Sequence, residues 1–227
     1  MNDKKLIDGS YYEEQYSDID SEYFKLYVYQ GIPVPAVEIN QYLVDYAIMF
    51  FSLKPGSRVL DVGCGIGHSM RPFIVRGFRC HGIEVSSSAR RYSPYREHIT
   101  VGNITDMRCW ENDRFDLAFS HGTMEHIDES LVDTTISELR RVATRQFHII
   151  SVDEESKKND PGHITIRPGE WWMKKFGQNP EKYYMTGMIY DTLMNETREP
   201  IIFGVPAALS THPIRTFFKN HAANTST

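Results

Sequence analysis

The sequence predicts an α/β protein with a doubly wound, mostly parallel sheet of seven strands, helices on both faces and a helical cap at the N-terminus. Two observations lead to this fold class. From residue 58 onwards, short apolar runs alternate with amphipathic stretches, which is typical of successive strand–helix units. The 227 residues, 41% hydrophobic and 24% charged, are also sufficient for the core of one complete domain.

Five strands and their connecting helices are predicted in the regular part of the chain. Because strands alternate with helices, the sheet is expected to be parallel. The strands are expected at residues 58–63, 78–86, 98–103, 114–120 and 146–153. The helices between them are expected at residues 68–77, 86–96 and 131–143.

The segments on either side of this core are less regular. Near the N-terminus, several tyrosines precede a helix expected at residues 36–51, and this part is predicted to form a cap or lid. After the fifth strand, a polar loop leads to a helix that begins near Pro168 and to two final strands, within 182–190 and 200–206. The single domain is thus divided into a cap (1–54), a ligand-binding core (55–153), a substrate-side segment (154–218) and a tail (219–227).

Composition and charge limit the possible partners. The formal net charge is -5, which disfavours binding to a phosphate backbone. The N-terminus lacks an apolar signal region, and the longest apolar stretch, residues 42–53, is too short to span a bilayer. Cys64, Cys80 and Cys109 are scattered and odd in number, so free thiols in a reducing cytosol are expected. These features predict a cytoplasmic protein without nucleic-acid or membrane partners, and they indicate no oligomeric state.

The stretch VLDVGCGIGHS contains three glycines in five residues and follows the first predicted strand. Asp61, Gly63, Gly65 and Gly67 therefore lie at the strand–helix junction where doubly wound sheets bind ligands. The spacing G-x-G-x-G differs from the G-x-G-x-x-G of dinucleotide sites. An acid at position 61 would be unfavourable beside a pyrophosphate, but it can hold an ammonium group.

Glu84 ends the second strand, about 20 residues beyond the glycines. An acid there can accept hydrogen bonds from both hydroxyls of an adenosine ribose, although it can also simply face solvent. Together, Glu84 and the D-x-G-x-G-x-G pattern resemble the class I S-adenosylmethionine-dependent methyltransferases. The resemblance covers residues 58–153 and implies a Rossmann-like fold, S-adenosylmethionine as cofactor and S-adenosylhomocysteine as product.

The resemblance also implies roles for individual positions. Glu84 would bind the ribose, and Val85 would lie against the adenine. Asn103 stands where the family usually has an aspartate that accepts from the adenine amino group, and Ile104 would offer its backbone. The implied cofactor contacts are Asp61, Gly63, Cys64, Gly65, Gly67, Glu84, Val85, Asn103, Ile104, Ser120 and His121, the last two flanking the methionine end.

Transfer of a methyl group to a hydroxyl requires a base that accepts the hydroxyl proton. The candidates in the loops after strands four and five are His121, His126, Asp153 and His163. His163 is the preferred base, with His121 as the second catalytic candidate, because His163 lies in a long loop before an aromatic helix. That segment resembles one in methyltransferases that modify sugars and small hydroxylated molecules. The alternative is that His163 is a surface residue and that the tryptophans of this helix pack in the core.

No metal site is predicted. His121, His126 and Asp128 are conceivable ligands, and some methyltransferases use Mg²⁺. However, magnesium prefers oxygen ligands, and carboxylate pairs are not evident after strands four and five. His126 matches a position that is usually structural in the family.

The sequence as a whole favours methyl transfer to a hydroxyl oxygen of a small molecule or glycan. Methylation of an amine or a protein nitrogen, and a non-catalytic S-adenosylmethionine-binding protein, are the open alternatives. An NAD-dependent oxidoreductase is disfavoured by Asp61 and the glycine spacing. A nucleobase acceptor is disfavoured because SHGT follows the fourth strand in place of the motifs expected for such enzymes.

Overall fold

The computed structural model describes residues 9–18, 34–152, 154 and 160–177, and the backbone of three short strands at 183–184, 200–202 and 205–206. Tyr23, Tyr27 and Tyr29 of the N-terminal segment and the predicted tail therefore lie outside the described residues.

Five parallel strands form the centre of the fold, in the order β3-β2-β1-β4-β5. Each is a largely buried apolar run, as expected for a parallel sheet that is covered on both faces. The chain moves outward from β1 to β3 and then returns to the other side of β1, so the switch point lies between β1 and β4. The strands are β1 (Arg58–Val62), β2 (Arg79–Glu84), β3 (Ile99–Val101), β4 (Leu117–His121) and β5 (Gln146–Ser151).

The last part of the chain adds short antiparallel pairs. β6 (Tyr183–Tyr184) and β8 (Val205–Pro206) form a separate two-stranded ladder, and β7 (Pro200–Ile202) pairs antiparallel with β5. The five predicted core strands are confirmed. A single seven-stranded sheet is not confirmed, because the described residues give six strands in the main sheet.

Helices cover both faces of the sheet, and no helix in the described part of the chain is long and apolar enough to cross a bilayer. One core cluster joins α2 (Val34–Phe50) and α3 (Met70–Val75) to Phe119 and Phe147. The other joins α5 (Val132–Val142) and α6 (Gly169–Lys175) to Leu60 and Ala118. Trp172 of α6 is fully buried in the second cluster, so this tryptophan is a core residue. The helices are α1 (Ser10–Tyr16), α2 (Val34–Phe50), α3 (Met70–Val75), α4 (Ser87–Tyr92), α5 (Val132–Val142) and α6 (Gly169–Lys175).

His148 is buried in the middle of β5, opposite Ser120 of β4. Its Nδ1 lies 2.8 Å from the Ser120 hydroxyl oxygen, and its ring stacks on Phe176. Burial lowers the pKa of His148 to about 3. The folded protein therefore holds a neutral imidazole where the unfolded chain, below about pH 6.5, binds a proton.

We expect His148→Gln to reduce the sensitivity of the protein to acid. As the pH falls from 6.5 towards 3, the unfolded state gains a proton that the folded state cannot bind, which costs about 1.4 kcal/mol of stability per pH unit. Urea unfolding between pH 7.5 and 4.5 should thus give a shallower loss of stability in the variant. His98→Gln, at an exposed histidine, is the control. Equal slopes for wild type and His148→Gln would contradict this role of His148.

Candidate functional site

The turn between β1 and α3 depends on its glycines. Gly63, Gly65 and Gly67 have φ of 66°, 51° and 95°, in the left-handed region that favours glycine. A Cβ at Gly63 would lie 2.4 Å from Thr123 Cγ2, and one at Gly67 would lie 2.8 Å from Tyr95 Cδ2. The turn therefore needs glycine for its backbone angles and for the close approach of its neighbours.

Glu84 connects the end of β2 to this turn. One carboxylate oxygen accepts a hydrogen bond from the Gly65 N–H at 2.9 Å, and the other accepts from the Ser86 N–H at 3.0 Å. Burial raises the pKa of Glu84, while these backbone hydrogen bonds act in the opposite direction. The carboxylate thus has a structural function, and its remaining lone pairs can accept from a ligand.

Asp61 lies in β1, next to β2, and among the described residues its carboxylate lacks backbone N–H donors of the kind that hold Glu84. Its side chain is buried, and its Oδ2 has no hydrogen-bond partner among the described residues. Burial, followed by the charge of Glu84, raises the pKa of Asp61 well above its usual range. A buried carboxylate without a partner is unfavourable, so the site is suited to a ligand that brings a positive charge or a hydrogen-bond donor.

A cavity of about 140 Å³ opens beside Gly63 and Glu84, and Asp61 is not among its lining residues. The ends of β2, β3 and β4 form its walls, and α1 contributes Tyr12 and Tyr16. The predicted cofactor residues that line it are Gly63, Glu84, Val85, Asn103 and Ile104.

At three of the predicted positions, including Asn103 of the lining, the side chain is already hydrogen-bonded or buried. The Asn103 side-chain oxygen already accepts from the Thr105 N–H and hydroxyl, at 3.0 and 2.9 Å. Ser120 is fully buried against His148, so only its backbone could contact a cofactor. Cys64 is buried within the glycine turn and has a free thiol. The cofactor contacts of these three residues, like those of the other predicted positions, stay predictions.

His121, at the end of β4, faces α2 rather than the cavity lining. Its Nδ1 lies 3.0 Å from the Asn40 side-chain oxygen, which also accepts from the Ser69 hydroxyl at 2.9 Å. Burial lowers the pKa of His121, so its imidazole is neutral at neutral pH. A neutral imidazole held in one orientation is suited to accept a proton.

His163 lies on the segment after β5, beside the turn that follows β4. Its ring centroid is 4.6 Å from that of His126, which lines the cavity. Burial, and then the nearby His126, lower the pKa of His163. The segment is fixed by Thr165, whose N–H donates to the Glu125 carbonyl and whose hydroxyl donates to the Ile127 carbonyl.

Sequence reasoning missed the contacts that hold α1 over the cavity. Glu13 of α1 accepts hydrogen bonds from Ser86, Ser87 and Ser88 at the start of α4. Burial opposes ionisation of Glu13, but the hydrogen bonds from Ser88 and Ser86 prevail and lower its pKa to about 2. More than 70 residues separate Glu13 from these serines, so no local pattern could have indicated the contact.

The matches to known proteins agree with this geometry. Residues 59–146 match the model of a family described as a methyltransferase domain. A cyclopropane-fatty-acyl-phospholipid synthase of Escherichia coli is 29% identical over 55% of this chain and 31% of its own length. A probable chloroplastic tocopherol O-methyltransferase of Oryza sativa subsp. japonica is 31% identical over 52% and 34%. The chain spans about a third of the length of these relatives.

Solved structures show the same fold. Geranyl diphosphate C-methyltransferase from Streptomyces coelicolor, in complex with Mg²⁺, geranyl-S-thiolodiphosphate and S-adenosylhomocysteine, has a TM-score of 0.59 and 12% identity, covering 85% of this chain and 84% of that one. A SAM-dependent methyltransferase from Archaeoglobus fulgidus has a TM-score of 0.53 and 17% identity, covering 62% and 67%. At such low sequence identity, the structural similarity supports the fold alone.

Residues 59–146 therefore match a methyltransferase domain, and the sheet order and the glycine turn agree with the fold of solved S-adenosylmethionine-dependent methyltransferases. These findings agree with the resemblance seen in the sequence.

Substitutions of the two buried carboxylates should have opposite effects on the stability of the ligand-free protein. The folded-state pKa of Asp61 is raised above that of the unfolded chain. The free-energy cost of ionising this carboxyl in the folded protein is therefore absent below the unfolded pKa and grows as the pH rises. Asp61→Asn should therefore stabilise the protein by about 1–2 kcal/mol at pH 7.5 and by less at pH 4. Glu84→Gln should destabilise it by about 1–3 kcal/mol, because one of two backbone N–H groups loses its acceptor.

Chemical unfolding of both variants at pH 7.5 and pH 4 checks this expectation. A loss of stability in Asp61→Asn similar to that in Glu84→Gln would show that Asp61 has a stabilising partner in the folded protein.

Proposed function

We propose that the protein transfers a methyl group from S-adenosylmethionine to a hydroxyl oxygen of a small molecule or glycan. The observation that carries the cofactor assignment is the buried Asp61 carboxylate, whose Oδ2 is unpartnered among the described residues, beside the glycine turn. In the proposed arrangement, Asp61 holds the ammonium group of the amino-acid end, directly or through water. Glu84 accepts from the ribose hydroxyls, and Val85 and Ile104 pack against the adenine.

The N-terminal residues act as a cap in this proposal. Tyr12 and Tyr16 line the cavity, and Glu13 fixes α1 to the start of α4. The segment 1–54 would thus cover the cofactor, while 154–218 would complete the acceptor side. Exclusion of water by such a cover strengthens the electrostatic contacts of the site.

The chemical demands on the protein are positioning and proton removal. When bound, S-adenosylmethionine supplies an activated methyl group that needs only a nucleophile in line with the carbon–sulfur bond, about 3 Å away. The protein must hold the acceptor hydroxyl there and accept its proton as the new oxygen–carbon bond forms. His121 and His163 are the proposed bases, since burial keeps both imidazoles neutral.

The relatives differ in the acceptors that their names indicate, and one of them supports a hydroxyl acceptor. One of them is named as an O-methyltransferase, whereas others are named as a lipid synthase and as a 23S rRNA (uracil(1939)-C(5))-methyltransferase. The rRNA enzyme of Ralstonia nicotianae is 33% identical over 32% of this chain and 16% of its own length. RNA and lipid therefore belong among the acceptors to be tested, together with amines and protein nitrogen.

Release of S-adenosylhomocysteine should be measured with sugars, phenols, amines, phospholipid vesicles and RNA as acceptors. We expect turnover with a hydroxylated small molecule or glycan. Turnover only with an amine, a lipid or RNA would contradict the proposed acceptor class, and cofactor binding without turnover on any acceptor would favour a non-catalytic binding protein.

Variants then identify the base. Replacement of the true base by glutamine should lower kcat by about 10²–10⁴-fold, with unchanged affinity for S-adenosylhomocysteine. His121→Gln and His163→Gln are compared with the exposed control His98→Gln. If neither variant is slower than the control, both base assignments fail.

A further inference from the structure

Glu125, His126 and His163 form a cluster that the proposed cofactor contacts do not use. One ligand atom from each of the three side chains lies within 4.8 Å of the others. The first two residues belong to the 3-10 turn Met124–His126 that follows β4, and His163 belongs to the segment after β5. Two separate parts of the chain thus converge beside the cavity.

Two atoms of this cluster lack the hydrogen bonds that buried polar atoms normally make. Glu125 is fully buried, and although its Oε1 accepts from the Ser151 N–H at 3.0 Å, its Oε2 has no partner in the described residues. His126 Nδ1 is buried and is likewise without a partner there. Because unsatisfied buried polar atoms are unfavourable, both atoms are suited to contact a group that the chain itself does not supply.

The backbone around the cluster is already fixed in position. Thr165 bonds to the carbonyls of Glu125 and Ile127, at 2.9 and 2.6 Å, and so holds the second segment against the first. Gly162 lies against the imidazole, since a Cβ there would be 3.0 Å from His126 Nδ1. Bonds of about 2.0–2.2 Å to a central ion require ligand atoms roughly 3–3.5 Å apart, so the side chains would need to move by only about 1 Å.

We propose that Glu125, His126 and His163 bind a divalent transition-metal ion that joins the segment after β5 to the turn after β4. Two imidazoles and one carboxylate suit Zn²⁺, Fe²⁺ or Co²⁺, whereas Mg²⁺ and Ca²⁺ prefer sites made only of oxygen ligands. The carboxylate of Asp160, 4.0 Å from His163 Nε2, lies within reach as a further ligand.

This metal site differs from the one considered in the sequence, which consisted of His121, His126 and Asp128. Of those three candidates, only His126 belongs to the cluster, because His121 bonds to Asn40 and Asp128 accepts from the Ser130 N–H. Metal binding does not depend on the proposed methyl transfer. Metal binding does exclude His163 as the base, since a histidine nitrogen that binds a metal cannot accept a proton. With the metal bound, His121 is left as the base.

The experiment uses the full chain after removal of metals with a chelator. Zn²⁺ affinity is measured by competition with a chromophoric chelator, Co²⁺ binding by its visible absorption, and Mg²⁺ binding by calorimetry. We expect one equivalent of Zn²⁺ to bind with a Kd in the micromolar range or below. Co²⁺ should give the absorption of a site with nitrogen ligands, and Mg²⁺ should not bind at the same concentration.

Glu125→Gln and His163→Gln should each weaken Zn²⁺ binding by about 100-fold, in line with the loss of one ligand of three. His98→Gln and Cys109→Ser, at exposed residues, are matched controls for adventitious binding at the surface. Absence of Zn²⁺ and Co²⁺ binding to the wild type would overturn the proposal. Equal affinity in wild type and both cluster variants, or loss only in the controls, would overturn it as well.

Discussion

The site is organised by the burial of two carboxylates at the ends of adjacent strands. Asp61 in β1 and Glu84 in β2 are both shielded from water, and burial raises the pKa of each. The charge of Glu84 raises the pKa of Asp61 further. The backbone N–H groups of Gly65 and Ser86 stabilise Glu84, whereas Asp61 Oδ2 has no such donor among the described residues. Among the described residues one carboxylate is thus satisfied and one is not, and we propose that the unsatisfied one holds the cationic group of the ligand.

The core of the fold could be predicted because its signals are local. Apolar runs of strand length and the helical spacing in 132–142 follow from burial on both faces of a parallel sheet, and all five core strands lie where they were expected. The strands near the end of the chain were harder to predict, because strands of two or three residues show no hydrophobic periodicity. β7 joins the main sheet antiparallel to β5, while β6 and β8 pair separately.

The site was only partly predictable, for a physical reason. The turn glycines and Glu84 could be recognised because their backbone and strand-end positions are encoded by neighbouring residues. Contacts between distant segments could not, and these include Glu13 with the serines of α4 and Asn40 with His121. The convergence of Glu125 with His163 belongs to the same category, since topology rather than spacing brings them together.

We propose that Asp61 holds the ammonium group of the cofactor. Calorimetric titration of wild type and Asp61→Asn with S-adenosylhomocysteine and with 5′-methylthioadenosine, which lacks the amino-acid end, tests it most directly. We expect wild type to prefer S-adenosylhomocysteine, and Asp61→Asn to lose about 1.5–3 kcal/mol of this preference while its affinity for 5′-methylthioadenosine is retained. Equal losses for both ligands, or no loss for either, would contradict the claim.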